Sequence, residues 1–236
     1  MIKNVSIVND SGVLRSTISH ELGGKELQFA FYVFKNGKRI SVSWYSDSNF
    51  IVFDTKGSPG YYQVYGFVKD VEGVTFSKSS TPIFCYPRLI KEKINSRLDL
   101  ADAMVFSSGG WDVPFLYYPS EEKFLFVLMP SAVDRSDQVM PVFNRFTWAG
   151  KGVFKGCVLC VADPTLELDE RLSLGWCLGS RQSDLSEILA KLVKQVATVL
   201  DIPTRNIVFW GSSAGGFSAL ARSEERRVGK ECRSRW

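Results

Sequence analysis

Apolar and polar positions alternate along much of the first third of the chain. Phe29, Phe31 and Val33 alternate with Gln28, Ala30 and Tyr32, and Ile40, Val42 and Trp44 alternate with Ser41 and Ser43. A period of two marks a strand with one buried face. Asn36-Gly37 separates the two runs, and that dipeptide suits a hairpin turn whose central residues need positive φ. Phe50 to Phe53 and Tyr61 to Asp70 add further strands, with Tyr62, Val64 and Val68 on one face. Gly57-Ser58-Pro59-Gly60 and Glu72-Gly73 supply the turns between them.

Short strands at this spacing predict a small all-β, immunoglobulin-like sandwich over residues 1–86. Trp44, Tyr61 and Tyr65 have the chemistry to stack on sugars or to pack a core, and a packing role is expected. Such a module also offers a surface for a protein partner.

The pattern changes after Pro87. Residues 87–112 read as a charged linker and the start of a second domain. Pro114 to Tyr118 is a short strand. Lys123 to Met129 and Gly156 to Ala162 are unbroken apolar runs, as expected of parallel strands buried on both faces. Ser136 to Trp148 has room for a short helix. Leu185, Ile188, Leu189, Leu192, Val196, Val199 and Leu200 recur at helical spacing, and Asp184 and Glu187 stand at N-cap and N3. Asp201-Ile202-Pro203 stops that helix. Strands alternating with helices predict a right-handed βαβ series and an α/β class for residues 113–221.

The series ends on Asn206-Ile-Val-Phe-Trp210, followed by Gly211-Ser212-Ser213-Ala214-Gly215-Gly216 and a run of small residues suited to a helix. Strand, Gly-x-Ser-x-Gly, helix is the pattern of a nucleophile elbow. The turn is so tight that side chains flanking the serine would collide with the neighbouring strand and helix. Glycine at Gly211 and Gly215 removes the collision. Ser213 is the candidate nucleophile, and the Ala214 amide is placed to meet a developing oxyanion.

This order of elements resembles the α/β-hydrolase fold over roughly Val113 to Ala221. The stretch "ADPTLELDERLSLGWCLGS" after the second apolar run resembles proteins of bacterial surface-polysaccharide and accessory-secretion loci, which are esterase- or acetyltransferase-like. The resemblance implies a truncated α/β-hydrolase domain preceded by the sandwich. It makes Lys123–Met129 the third strand, so that the loop after it, at Ser131 or Ala132, supplies the second oxyanion amide. The His-Gly-Gly-Gly of many esterases is not found there. Asp163 and Asp169 either line the site or cap helices, and capping is the commoner fate. The implied activity is that of a serine hydrolase or acyltransferase acting on an ester, with an O-acetyl group on a glycan as the candidate. No cofactor and no metal is implied. The alternative is a non-catalytic scaffold or binding partner in surface-glycan or secretion machinery.

Composition adds limits rather than direction. The chain has 236 residues, 45% hydrophobic and 23% charged. No apolar run reaches transmembrane length, and the N-terminus lacks a secretory core, so a cytoplasmic location is expected. Five cysteines do not make a disulfide framework, and Cys157-Val-Leu-Cys160 lies within an apolar strand. The net charge of +4 is concentrated in the last fifteen residues. Arg222 to Trp236 holds six of the 29 basic and three of the 25 acidic side chains. The charge therefore supports no nucleic-acid partner. This segment resembles a translated sequencing adapter at all fifteen positions and is expected to be a non-native tail. On that reading the histidine and acid that would activate Ser213 are expected beyond Ala221, and the fragment is expected to be inactive. The single histidine, His20, falls in the sandwich.

Overall fold

A computed structural model describes residues 1–22, 26–136 and 138–224, with side chains described as far as residue 221. The first part runs β1 (Ile2–Asp10), β2 (Val13–His20), β3 (Gln28–Lys35), β4 (Lys38–Ser46), β5 (Phe50–Asp54), β6 (Gly60–Lys69), β7 (Thr75–Ser79) and β8 (Ile83–Cys85). These strands make two sheets, one in the order β1-β2-β5 and one in the order β4-β3-β6-β7, with β8 paired to β6. The alternating residues do what their period demands. Val5, Leu14 and Ile18 of the first sheet share a core with Phe31, Val33, Val64 and Val68 of the second. Each buried side chain of this size contributes roughly 1.5–3 kcal/mol. Gly66 admits Ile18, since a Cβ there would stand 2.7 Å from its Cδ1.

The rest of the chain runs β9 (Arg88–Lys91), β10 (Ala103–Ser108), β11 (Trp111–Tyr118), β12 (Leu125–Leu128), α1 (Phe146–Gly150), β13 (Cys157–Val161), α2 (Leu185–Val199), β14 (Ile207–Trp210) and α3 (Ala214–Glu224). Its strands form one sheet in the order β14-β12-β13-β11-β10-β9. α2 covers one face, burying Leu185, Leu189, Leu192, Val193 and Val196 with Val113, Leu125, Val127 and Leu159 of the sheet. Its N-cap is Asp184, which accepts the Ser186 amide at 2.7 Å. The other face packs Ala103, Leu116, Leu128 and Cys160 against Tyr61 of β6 and Phe143. Burial on both faces explains why β12 and β13 read as unbroken apolar runs. Gly109 and Gly110, both at positive φ, turn β10 into β11, so the glycine-rich Ser107–Gly110 stretch is a hairpin tip.

The α/β class expected from the sequence is overturned. The described residues form fourteen strands in three sheets but only three α-helices, one of them five residues long. The chain is β-rich throughout and is not an immunoglobulin-like sandwich followed by half of an α/β-hydrolase domain. Two local features account for the difference. Residues 87–112, expected to be a charged linker and the start of a second domain, contribute β9, β10 and the start of β11 to the large sheet. The β9 run Arg-Leu-Ile-Lys has no alternation to declare it. The short helix for which Ser136–Trp148 has room forms only at its end, over Phe146–Gly150. Pro141 lacks an amide and disfavours helical backbone at Met140, and Arg145 stands at φ 62. The large sheet is also mixed rather than a plain parallel series, since β10–β11 and β11–β13 pair antiparallel.

The boundary expected at Arg222 falls inside α3. The remainder of the expected tail, 225–236, lies outside the described residues. Among the described residues no helix is long and apolar enough to cross a membrane.

Candidate active site

β14 ends at Trp210 and α3 starts at Ala214, so three residues make the turn between them. Ser213 adopts φ 54. In that region Cβ crowds the following carbonyl, at a cost of roughly 1–2 kcal/mol. Bonds from Gly215 N to the Ser212 carbonyl and from Gly216 N to the Ser213 carbonyl, each 3.0 Å, hold the strained turn closed. The two flanking glycines are steric necessities. A Cβ on Gly211 would overlap the carbonyl of Gly215. One on Gly215 would stand 2.8 Å from the carbonyl oxygens of both Met129 and Pro130. Those neighbours are backbone and have nowhere to go. Gly-x-Ser-x-Gly thus answers to a turn packed on itself and on the chain end of β12.

The result presents the Ser213 side chain to solvent and buries Ala214 behind it. The Ala214 amide opens α3 and has no acceptor within the helix. The packing of Gly215 on Pro130 also brings the Ser131–Ala132 loop beside the elbow. The two candidate amides of that loop differ. Ser131 N donates to Asn144 Oδ1 at 2.9 Å and is occupied. Ala132 is exposed and its amide has no recorded partner among the described residues.

Sequence reasoning did not find Arg145. Its Nη2 donates to Ser212 Oγ, one residue from Ser213. Its guanidinium lies over the Trp210 ring, 4.5 Å from the centroid, and 6.0 Å from that of Trp148. Partial burial lowers its pKa from the ordinary guanidinium value, and it remains a cation near neutral pH. Arg145 and Asn144 also line a cavity of 260 Å³ that reaches Tyr61, Gln63, Phe143 and Thr147. A larger hollow of 720 Å³, bordered by Glu26, Asp47 and Lys69, is lined by neither Arg145 nor Asn144.

The other candidates settle as structural groups. Asp163 is buried, accepting Thr165 N at 3.0 Å as an N-cap and Cys177 N at 2.9 Å. Asp169 is engaged by Arg171, with 2.7 Å between Oδ2 and Nη2. Cys157 and Cys160 join cores on opposite faces of the sheet, so they do not form a redox pair. His20 lies on β2, in a different sheet from the elbow, with its ring against Phe29. Trp44 is exposed on β4, whereas Tyr61 is buried. Among the described residues no histidine or carboxylate is hydrogen-bonded to Ser213, and no cluster of three or more His, Cys, Asp or Glu side chains is placed to hold a metal.

Comparison of the chain with protein-family models and with curated protein sequences returns no match.

Proposed function

We propose that Ser213 is the nucleophile of a serine hydrolase or acyltransferase acting on an ester. The supporting observation is the elbow: an exposed serine at positive φ, between the end of β14 and the start of α3, flanked by glycines at which a Cβ would press on backbone. Ser213 Oγ would attack the ester carbonyl. Its bond to the acyl carbon forms, the carbon–oxygen bond to the alcohol breaks, and the serine proton passes through a base to that alcohol. The Ala214 amide, with that of Ala132, would hold the oxyanion. An O-acetyl group on a glycan is the candidate substrate, and a cytoplasmic location is part of the same proposal. A hydroxyl without a base is a poor nucleophile near neutral pH, and no base is bonded to Ser213 among the described residues.

That last fact shapes the test. Added imidazole supplies a soluble base. A fluorophosphonate probe should label Ser213 slowly, and imidazole should accelerate the labelling. Peptide mass spectrometry should place the adduct on Ser213, and Ser213→Ala should remove it. An adduct elsewhere, or one that persists in the alanine variant, would remove Ser213 from the chemistry. The absence of any adduct with imidazole present would favour a non-catalytic scaffold.

A further inference from the structure

We propose that Arg145 and the cavity beside it form a binding site for the oxyanionic group of a small sugar, a carboxylate or a phosphate, next to Ser213. Three observations carry this. First, the guanidinium is pinned but barely used. Stacking on Trp210 and the bond to Ser212 Oγ fix its plane, yet only one of its five N–H donors has a protein acceptor among the described residues. A partly buried guanidinium with free donors is a preorganised partner for an oxyanion, because a planar fork meets two oxygens at once.

Second, the cavity holds a cation without a counter-charge. Its described lining includes Gln63, Asn144, Arg145 and Thr147 as polar groups, and no aspartate or glutamate. Tyr61 and Phe143, both buried, supply apolar wall. A few convergent polar groups on an apolar wall are the usual make-up of a small-molecule site. Third, the size is limiting. A volume of 260 Å³ equals that of about nine waters in the bulk liquid, which suits one sugar ring and no longer segment.

Arg145 lines this cavity and bonds Ser212, one residue from Ser213, so an anionic sugar held on its guanidinium would lie near the elbow. The placement beside a reacting serine rests on the esterase reading; the binding itself does not. It follows that the substrate would be an ester of an acidic sugar or of a sugar phosphate, with Arg145 setting specificity.

The test is a binding titration on the whole chain, read by tryptophan fluorescence and by calorimetry. Glucuronate, glucose 6-phosphate and glucose are the probes. At least one anionic probe should bind tenfold or more tightly than glucose, and comparing the two identifies the preferred oxyanion. Arg145→Gln should erase the preference. Arg145→Lys should retain the charge but lose most of it, because an ammonium cannot make the fork. Equal affinity of the wild-type chain for all three probes overturns the proposal, whatever the variants do. So does a preference that survives Arg145→Gln. Anion binding without fluorophosphonate labelling would sink the nucleophile and leave this site standing, and labelling without anion preference would do the reverse.

Discussion

The side chain of Asn36 joins two parts of the chain that lie 66 residues apart, donating through Nδ2 to the Asp102 carbonyl at 3.2 Å. Its Oδ1 accepts the buried Tyr61 amide at 2.8 Å. The Asn36-Gly37 turn is therefore more than the tip of a hairpin. It is the point where β3 and β4 dock on the large sheet, reinforced by the 2.7 Å ion pair of Lys35 with Asp102.

Asn36→Ala would leave the Tyr61 N–H buried without an acceptor. An unsatisfied buried amide costs roughly 1–3 kcal/mol. Urea denaturation should show a loss of that size. Gly37→Ala should cost at least as much, since Gly37 stands at φ 77 and a Cβ there would lie 2.8 Å from Thr147 Cα. A wild-type midpoint in either variant would show that the turn does not tie the sheets together.

Glu92 gives the fold a dependence on acid. It accepts from Lys191 Nζ and, at 2.9 Å, from Ser108 Oγ, fastening α2 over the edge of the large sheet. The bond from Lys191 is the first cause that holds its pKa below the ordinary 4.5. The sign follows from linkage. A depressed carboxylate pKa adds stability that is full above the unfolded value and is lost as pH falls through the folded one. Glu92→Gln should be less stable than wild type at neutral pH. The gap should close as the pH drops below 4.5. Because the carboxylate is solvent-exposed, added salt should also narrow it. Thermal melts of both proteins across that range measure this, and a gap that stays constant with pH would refute the role given to Glu92.

Cysteine reactivity follows from burial. Cys85, Cys157, Cys160 and Cys177 are buried, and none of the four is held in a disulfide. Burial pushes the Cys85 thiol up to about 11, and the Cys160 thiol upward as well. A thiol held protonated is a poor nucleophile. Iodoacetamide near neutral pH should leave all four unmodified in the native chain and modify them after denaturation. Early labelling of Cys157 or Cys160, read by mass spectrometry, would mean that the sheet opens.

What was legible in the sequence was what the backbone enforces locally. The period-two run over Gln28–Lys35 announced β3, and the Leu185–Leu200 spacing announced α2 with Asp184 as its cap. The elbow showed because its steric demand can be met only by glycines at fixed offsets from Ser213. Tertiary facts were not legible. Nothing in the spacing shows that β14 lies beside β12, which places Arg145 against Ser212 from 67 residues away. Asn144 occupies the Ser131 amide from thirteen residues on, so an amide that looked available is taken. The fold class was misjudged for a related reason. β9 gains its identity from pairing with β10, and β10 from pairing with β9 and β11.

Ser213 carries the last prediction, because it holds a left-handed backbone, φ 54, without being glycine. At φ 54 a glycine would be at ease where serine is not. If the turn existed only to connect β14 with α3, glycine would serve it better. On the esterase reading the strain is kept because the turn needs the serine side chain. Ser213→Gly should therefore raise stability by about 0.5–1 kcal/mol, the relief of the left-handed conformation less the added freedom of the unfolded chain. Ser213→Ala, which keeps the strain, should not gain. Both variants should lose imidazole-promoted labelling by the fluorophosphonate. Gly215→Ala should fail in the opposite way. Its Cβ would press on the carbonyls of Met129 and Pro130, so it should lower the melting temperature and expose the 211–220 segment to protease while the serine remains in place. A stabilised Ser213→Gly beside a destabilised Gly215→Ala is the pattern of a turn shaped around its serine. A Ser213→Gly variant no more stable than Ser213→Ala would show that the positive φ costs the chain nothing, and would remove strain as an argument for the nucleophile.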